Sequence, residues 1–417
     1  MKASELMFYL GAGAYFTLMF LNSTMFVNIL PISEHIVRNL IRFTCYGFII
    51  AKIIMVEKYT IKRILLYAAL SIPLLLCYKI TGYIYQLDLF MLIAGARGIN
   101  ADRIIRLFFC LNLVLLAVTF IAVAGGLIEN RTFIRAGSSG LRNSVGFIYP
   151  TDFGARIFYT LLAFCYLVGK RFRILMVALF GIISVALIVY CDARLDAGLI
   201  IIAGILFYMN ARSKLFMRKW VETALTCCFP VLFLLSYFVT MAYPKGGIFK
   251  ILDTLLSKRL MFGYYNVLYA GIHPFGVHLF QQGHGALNYS HLTGYNFVDC
   301  GFLQGLLEYG YILMFFVLVM FVLITKKAIV RGRREIAIVL FLIALSSCID
   351  HHFLEFWYDP FPLLIFAIIP YAPEYAKKKA VEKAPHGIDG TSLDQEAEPV
   401  PKGLSHDHDV WGWQVSF

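Results

Sequence analysis

Apolar residues come in long blocks, broken by short polar stretches, over most of the first 375 positions. A bilayer core needs about 20 apolar residues per helix. Twelve runs meet or approach that length, at about 6–30, 38–56, 64–82, 83–96, 104–128, 150–168, 172–190, 197–210, 220–243, 300–325, 335–350 and 358–372. The runs 83–96 and 197–210 are short, which suits tilted or re-entrant pieces. No outer-membrane-barrel alternation is present, so helices must do the spanning. The pattern predicts an all-α, polytopic membrane protein of about twelve helices. The first run is too long for a signal sequence and lacks a small-residue cleavage site, so it reads as the first span. Beyond residue 376 Glu, Asp, Pro, Gly and His replace apolar residues, and 376–417 reads as a disordered cytoplasmic tail behind a transmembrane unit 1–375. The tail's HDHD at 406–409 reads as solvated sequence rather than a metal site.

Composition sharpens this. The chain has 417 residues, 60% hydrophobic and 15% charged, more apolar surface than one soluble core could hide. Its net charge of +12 would suggest nucleic acid in a soluble protein. Here the basic residues sit in short loops, and no nucleic-acid motif is present. The clusters are Lys58/Lys62/Arg63, Arg97/Arg103/Arg106, Lys170/Arg171/Arg173, Arg212/Lys214/Arg218/Lys219, Lys326/Lys327/Arg331/Arg333/Arg334 and Lys377/Lys378/Lys379. They occur at every second loop, which places both termini in the cytoplasm by the positive-inside rule. The nine cysteines lie mostly inside apolar runs without CxxC spacing and read as small hydrophobes.

The opposite face then comprises about 31–37, 129–149, 191–196, 244–299 and 351–357. The longest of these, between the ninth and tenth helices, has the length of a site or a lid. Arginines on this face serve no topological purpose, and the guanidinium fork suits phosphate. Arg131, Arg135, Arg142, Arg194 and Arg259 all fall there, although any one of them could snorkel to headgroups. The loop 129–149 also carries Gly137, Ser138, Ser139, Gly140, Ser144 and Gly146, which can bring backbone N–H groups to an anion. CDARLDAG, at 191–198, sets Asp192, Arg194 and Asp196 at the end of an apolar run, as a ligand site or a structural ion pair. IFKILDTLLSKRLMF, at 248–262, predicts an amphipathic surface helix with Arg259 on its apolar side, unless the helix ends before Arg259. Next come His273, His278, His284 and His291, spaced without a helical metal pair, among several tyrosines that suit sugar stacking or a membrane-interface belt. A histidine near a reacting hydroxyl can act as base. The turn DHHFLEFWYD adds Asp350, His351, His352 and Glu355.

This arrangement resembles the bacterial O-antigen and capsular or exopolysaccharide repeat-unit polymerases and, more distantly, the O-antigen ligases. Ten residues separate Arg135 from Gly146, as in the family's arginine–glycine motif, and GFIYPTDFGA resembles its entry to the next helix. Tyr149 and Thr151–Asp152 stand where relatives often carry His and Asn beside the proline, and Ala193 replaces the serine of the second motif. Arg259 and Gly271 are one residue too far apart to repeat the first spacing. The resemblance implies an inverting, metal-independent glycosyl transfer at the outer leaflet of the bacterial cytoplasmic membrane, without a cofactor. Its substrates are undecaprenyl-pyrophosphate-linked oligosaccharide repeat units, its surroundings membrane lipid, and its pathway neighbours a flippase and a chain-length regulator. It implies Arg135, Arg142, Arg194 and Arg259 on pyrophosphate, with Gly146 shaping the loop. His273, Asp152 and His284 are the candidate bases. A ligase of the same superfamily is one alternative. A lipid-linked oligosaccharide transporter is another, kept open by Lys79 and Asp88 inside apolar runs.

Overall fold

The computed structural model describes residues 2–56, 61–134, 141–283 and 295–376. Within them the fold is built of helices, as expected. In chain order they are α1 (Ala3–Asn22), α2 (His35–Val56), α3 (Ile61–Thr81), α4 (Tyr85–Gly95), α5 (Ala101–Ala124), α6 (Pro150–Val168), α7 (Ile174–Cys191), α8 (Arg194–Arg212), α9 (Lys219–Met241), α10 (Ile248–Leu255), α11 (Arg259–Ala270), α12 (Gly301–Val330) and α13 (Arg334–Ser347). Seven of the described helices, α1, α5, α6, α7, α8, α9 and α12, are long and apolar enough to cross a membrane. A short antiparallel hairpin, β1 (Thr132–Ile134) with β2 (Leu141–Asn143), pairs Phe133 with Arg142.

Helices α1 and α2, α7 and α8, and α9 and α12 pack as neighbours around one apolar core. The ends of these helices sort by chemistry. At one end Glu5 pairs with Arg103, Asp102 with Arg333, and Glu222 with Arg334. At the other end Ser23 meets the start of α6, and the hairpin closes on the end of α7 through Arg142 and Asn143. Between the ends, Asp88 of α4 is buried against Arg42 at 3.0 Å and accepts from the hydroxyls of Tyr15 and Tyr46. These partners give it a structural role.

Two stretches differ from the pattern-based expectation. The surface helix expected over 248–262 is two helices. Ser257 and Lys258 both take the left-handed conformation, with φ of 57° and 66°, so α10 stops and Arg259 opens α11. The run 358–372 is not an α-helix. It carries Pro360, Pro362 and Pro370, and proline removes a ladder donor and clashes with the preceding turn. A short 3-10 turn, Phe361–Ile365, is followed by non-helical chain, and most of the stretch is buried. Buried backbone still needs partners. The Lys327 ammonium donates to the carbonyls of Leu364, Ile365 and Ala367, and Arg331 donates to that of Ile369. Ile368 exchanges backbone bonds with Ile99 and Ala101.

Candidate functional site

Three arginines from three separate parts of the chain line one cavity of about 280 Å³: Arg142, Arg194 and Arg259. Each is anchored differently. Arg142, on β2, is buried and donates from Nε to the carbonyl of Cys191 at 3.1 Å and from Nη1 to the Tyr149 hydroxyl at 3.1 Å. Its guanidinium also lies over the Tyr149 ring. Helix α7 ends at Asp192, whose left-handed φ of 51° turns the chain straight into α8. That turn puts Arg194 first in α8, with its Nε 2.6 Å from Asp192. Arg259 opens α11 and pairs through Nε with Asp299 at 3.3 Å. A guanidinium has five N–H donors, so anchoring Nε leaves terminal donors of Arg194 and Arg259 for a ligand. Asp192, Asp196, Asp350, Thr151 and Ser257 complete the polar lining.

The wall between α6 and α8 depends on a missing side chain. A Cβ on Gly154 would lie 2.6 Å from Asp196 Oδ2 and 2.9 Å from the Ala193 Cβ. Gly146 is equally constrained. Its φ is +79°, a Cβ there would meet Val123 at 2.6 Å, and its carbonyl accepts from Met25 N at 2.8 Å.

A second cavity, of about 140 Å³, lies on the other side of the turn after α13. Its polar lining includes Glu308, His351, Glu355, Tyr83 and Tyr85. Glu308 is held by Gln281 at 2.6 Å and Gln304 at 3.2 Å. Asp350 lines the first cavity while His351 and Glu355 line the second, so this turn is the partition. The His352 ring stacks on Tyr358 and lies beside His351, with centroids 4.0 and 4.1 Å away. Its Nδ1 meets Glu355 Oε2 at 2.6 Å. Burial disfavours charge on both imidazoles. For His352 the carboxylates of Asp350 and Glu355 outweigh burial, and its pKa is pushed up to about 10. For His351 burial and the neighbouring His352 cation prevail and hold the ring below its usual range. Burial would raise Glu355, but His352 and the bond to it keep the carboxyl low.

The residues singled out from sequence divide as follows. Arg142, Arg194 and Arg259 are brought together. Asp152, in the first turn of α6, lies within electrostatic reach of His352, Glu355, Asp350 and Arg156. His273 lies elsewhere: it is exposed, its Nε2 is 3.0 Å from the Ala270 carbonyl, and it lines neither cavity. Arg135 and His284 lie outside the described residues.

Two features had no assigned role. Arg156 is fully buried in α6, donates to Asn112, Ser23 and the Trp357 carbonyl, and lies over the rings of Phe20 and Tyr358. An arginine inside an apolar run was the available signal for it. The signal for the turn was its density of acids and histidines between two apolar runs. No family model, curated protein or solved structure matches this chain.

Proposed function

We propose that this chain is a multi-pass membrane glycosyltransferase that polymerises undecaprenyl-pyrophosphate-linked oligosaccharide repeat units. In this reading the chain crosses the bacterial cytoplasmic membrane twelve times. The last crossing is the buried non-helical stretch, both termini lie in the cytoplasm, and the cavities face outward. The observation that carries the reading is the convergence of Arg142, Arg194 and Arg259 on one cavity. Arginine on the outward face runs against the charge rule for membrane loops and suits a diphosphate. The acidic neighbours Asp192 and Asp299 hold the guanidinium groups in place.

The acceptor hydroxyl oxygen attacks the anomeric carbon of the donor sugar from the face opposite the diphosphate. The carbon–oxygen bond to the diphosphate breaks, its electron pair leaves with undecaprenyl pyrophosphate, and the configuration inverts. The arginines meet the charge that develops on the leaving oxygen. The acceptor proton passes to a carboxylate. Among the described candidate bases Asp152 is the nearer: it lines neither cavity itself, but it follows the cavity residue Thr151 and couples electrostatically to His352, Glu355 and Asp350. Polymerisation is favoured over transport because Asp88, the buried acid that kept a transporter open, is already paired with Arg42.

The test is the glycan pattern of cells carrying Arg194→Ala or Arg259→Ala. Loss of one such donor costs on the order of 10²–10³ in rate. The expected result is accumulation of single-repeat glycolipid and loss of long chains. Normal chain length in both variants would sink the reading. Lipid-linked polymer that builds up unattached would favour a ligase instead.

A further inference from the structure

We propose that Asp350, His351 and His352 bind a divalent transition-metal cation, of which zinc is the type, at the partition between the two cavities. One donor atom from each of the three residues lies within 4.8 Å of the others. Asp350 Oδ1 is 3.6 Å from His351 Nδ1 and 3.8 Å from His352 Nε2. Donors at zinc bonding distance stand roughly 3.4 Å apart in a tetrahedron. The two Asp350–histidine separations exceed this by a few tenths of an ångström, so a cation would draw the three side chains inward.

The surroundings favour ligation beyond this spacing. Glu355 takes the Nδ1 side of His352, which fixes the proton there and turns Nε2 towards Asp350. A carboxylate behind a histidine is the usual outer support of a metal ligand. His351 Nδ1 and Asp350 Oδ2 are buried and find no hydrogen-bond partner among the described residues. Buried polar atoms ordinarily have partners, and two unsatisfied ones in a three-residue cluster ask for a cation. The rings have little freedom. His352 stacks on Tyr358, Phe297 meets His351 edge-on at 5.0 Å, and Asp350 O accepts from Gly301 N.

Two imidazoles and one carboxylate suit zinc, cobalt, manganese or iron, whereas magnesium and calcium prefer oxygen alone. Three protein ligands leave a coordination position open. Asp350 lines one cavity and His351 the other, so the open position belongs to the partition between them. The proposal departs from the metal-free chemistry that the family resemblance implies, and it stands or falls separately from the polymerase reading. Its competitor is a plain ion-pair cluster, in which a proton on His352 takes the place of the metal between Asp350 and Glu355.

The test uses the full chain in detergent, with the affinity tag removed. His406 and His408 of the tail are both replaced by alanine so that they bind no metal. After stripping with a chelator the protein is titrated with Zn²⁺ and with Co²⁺, whose visible absorption reports histidine ligation. The expected result is roughly stoichiometric metal by elemental analysis and a cobalt band of low symmetry. His351→Ala and Asp350→Asn should abolish both, and Glu355→Gln should weaken binding ~10–100-fold. Circular dichroism and size exclusion identify the variants that remain folded. Two results would overturn the proposal: no stoichiometric metal on the folded protein, or unchanged metal content in folded His351→Ala and Asp350→Asn. A metal site without polymerase activity would leave this inference standing and remove the other.

Discussion

Gly154 shows how much of the arginine cavity rests on single atoms. It lets α6 approach the first turn of α8 closely enough for Asp196 to pack against its Cα. Gly154→Ala should push α8 away, at a cost of about 1–3 kcal/mol for overpacking. The check is the midpoint of thermal unfolding in detergent, read beside the Arg194→Ala variant. Arg194 is two-thirds exposed, so its loss should leave the midpoint nearly unchanged while removing function. An unshifted midpoint for Gly154→Ala would show that the helices can part freely. The arginines Arg142, Arg194 and Arg259 were legible before any fold was known, since their residue type conflicts with the face that the charge pattern assigns them. Arg156 was harder to place. Its partners Ser23, Asn112 and Trp357 lie 133, 44 and 201 residues away in the chain, beyond the reach of any local pattern.

Helix α12 is broken at Gly310, where φ is +80°, and the loop after α11 fills the break. Tyr311 N and Ile312 N, which lose their helical acceptors there, donate to the carbonyls of His273 and Pro274. Val277 N returns a bond to the Leu307 carbonyl. The loop backbone thus completes the helix ladder, and a Cβ on Gly276 would collide with the Glu308 carbonyl. Gly276→Ala should free the loop and cost roughly 2 kcal/mol or more, from its left-handed φ and the collision together. Limited proteolysis should then cut within 271–283 faster than in the parent chain, and an unchanged cleavage rate would contradict this docking. Element boundaries were legible to different degrees. Apolar runs located the long helices because their lengths are set by the bilayer. The break between α10 and α11 was hidden, since Ser257 and Lys258 are not residues that announce a left-handed turn. The prolines at 360, 362 and 370 did announce that the last run is no helix, but run length alone passes over them.

At the scale of the whole molecule, Lys170 and Arg194 lie at opposite ends of the α6–α8 group. In the proposed orientation the first faces the cytoplasm and the second the outside. Cysteines introduced as Lys170→Cys and Arg194→Cys, in a chain cleared of its other thiols, should differ towards a membrane-impermeant maleimide. Intact cells should label position 194 alone; labelling of 170 alone would reverse the topology, and labelling of both would contradict their placement on opposite sides. The separation of charge was visible in the sequence because a cluster needs no fold to be counted. The convergence of the arginines was not, because it depends on how hairpin, α8 and α11 meet in space. The stretch after α13 carries a different consequence. Its carbonyls are satisfied by Lys327, Arg331 and Arg156, on α12, in the turn behind it and on α6. Alone in lipid the same stretch would expose unpaired backbone, so it cannot enter the bilayer as an independent unit. In the twelve-span reading proposed above, the helices can integrate one by one as the chain is synthesised, but this segment must wait for the walls that receive it. On that reading maturation ends with a docking step, and the turn that separates the two cavities is put in place last.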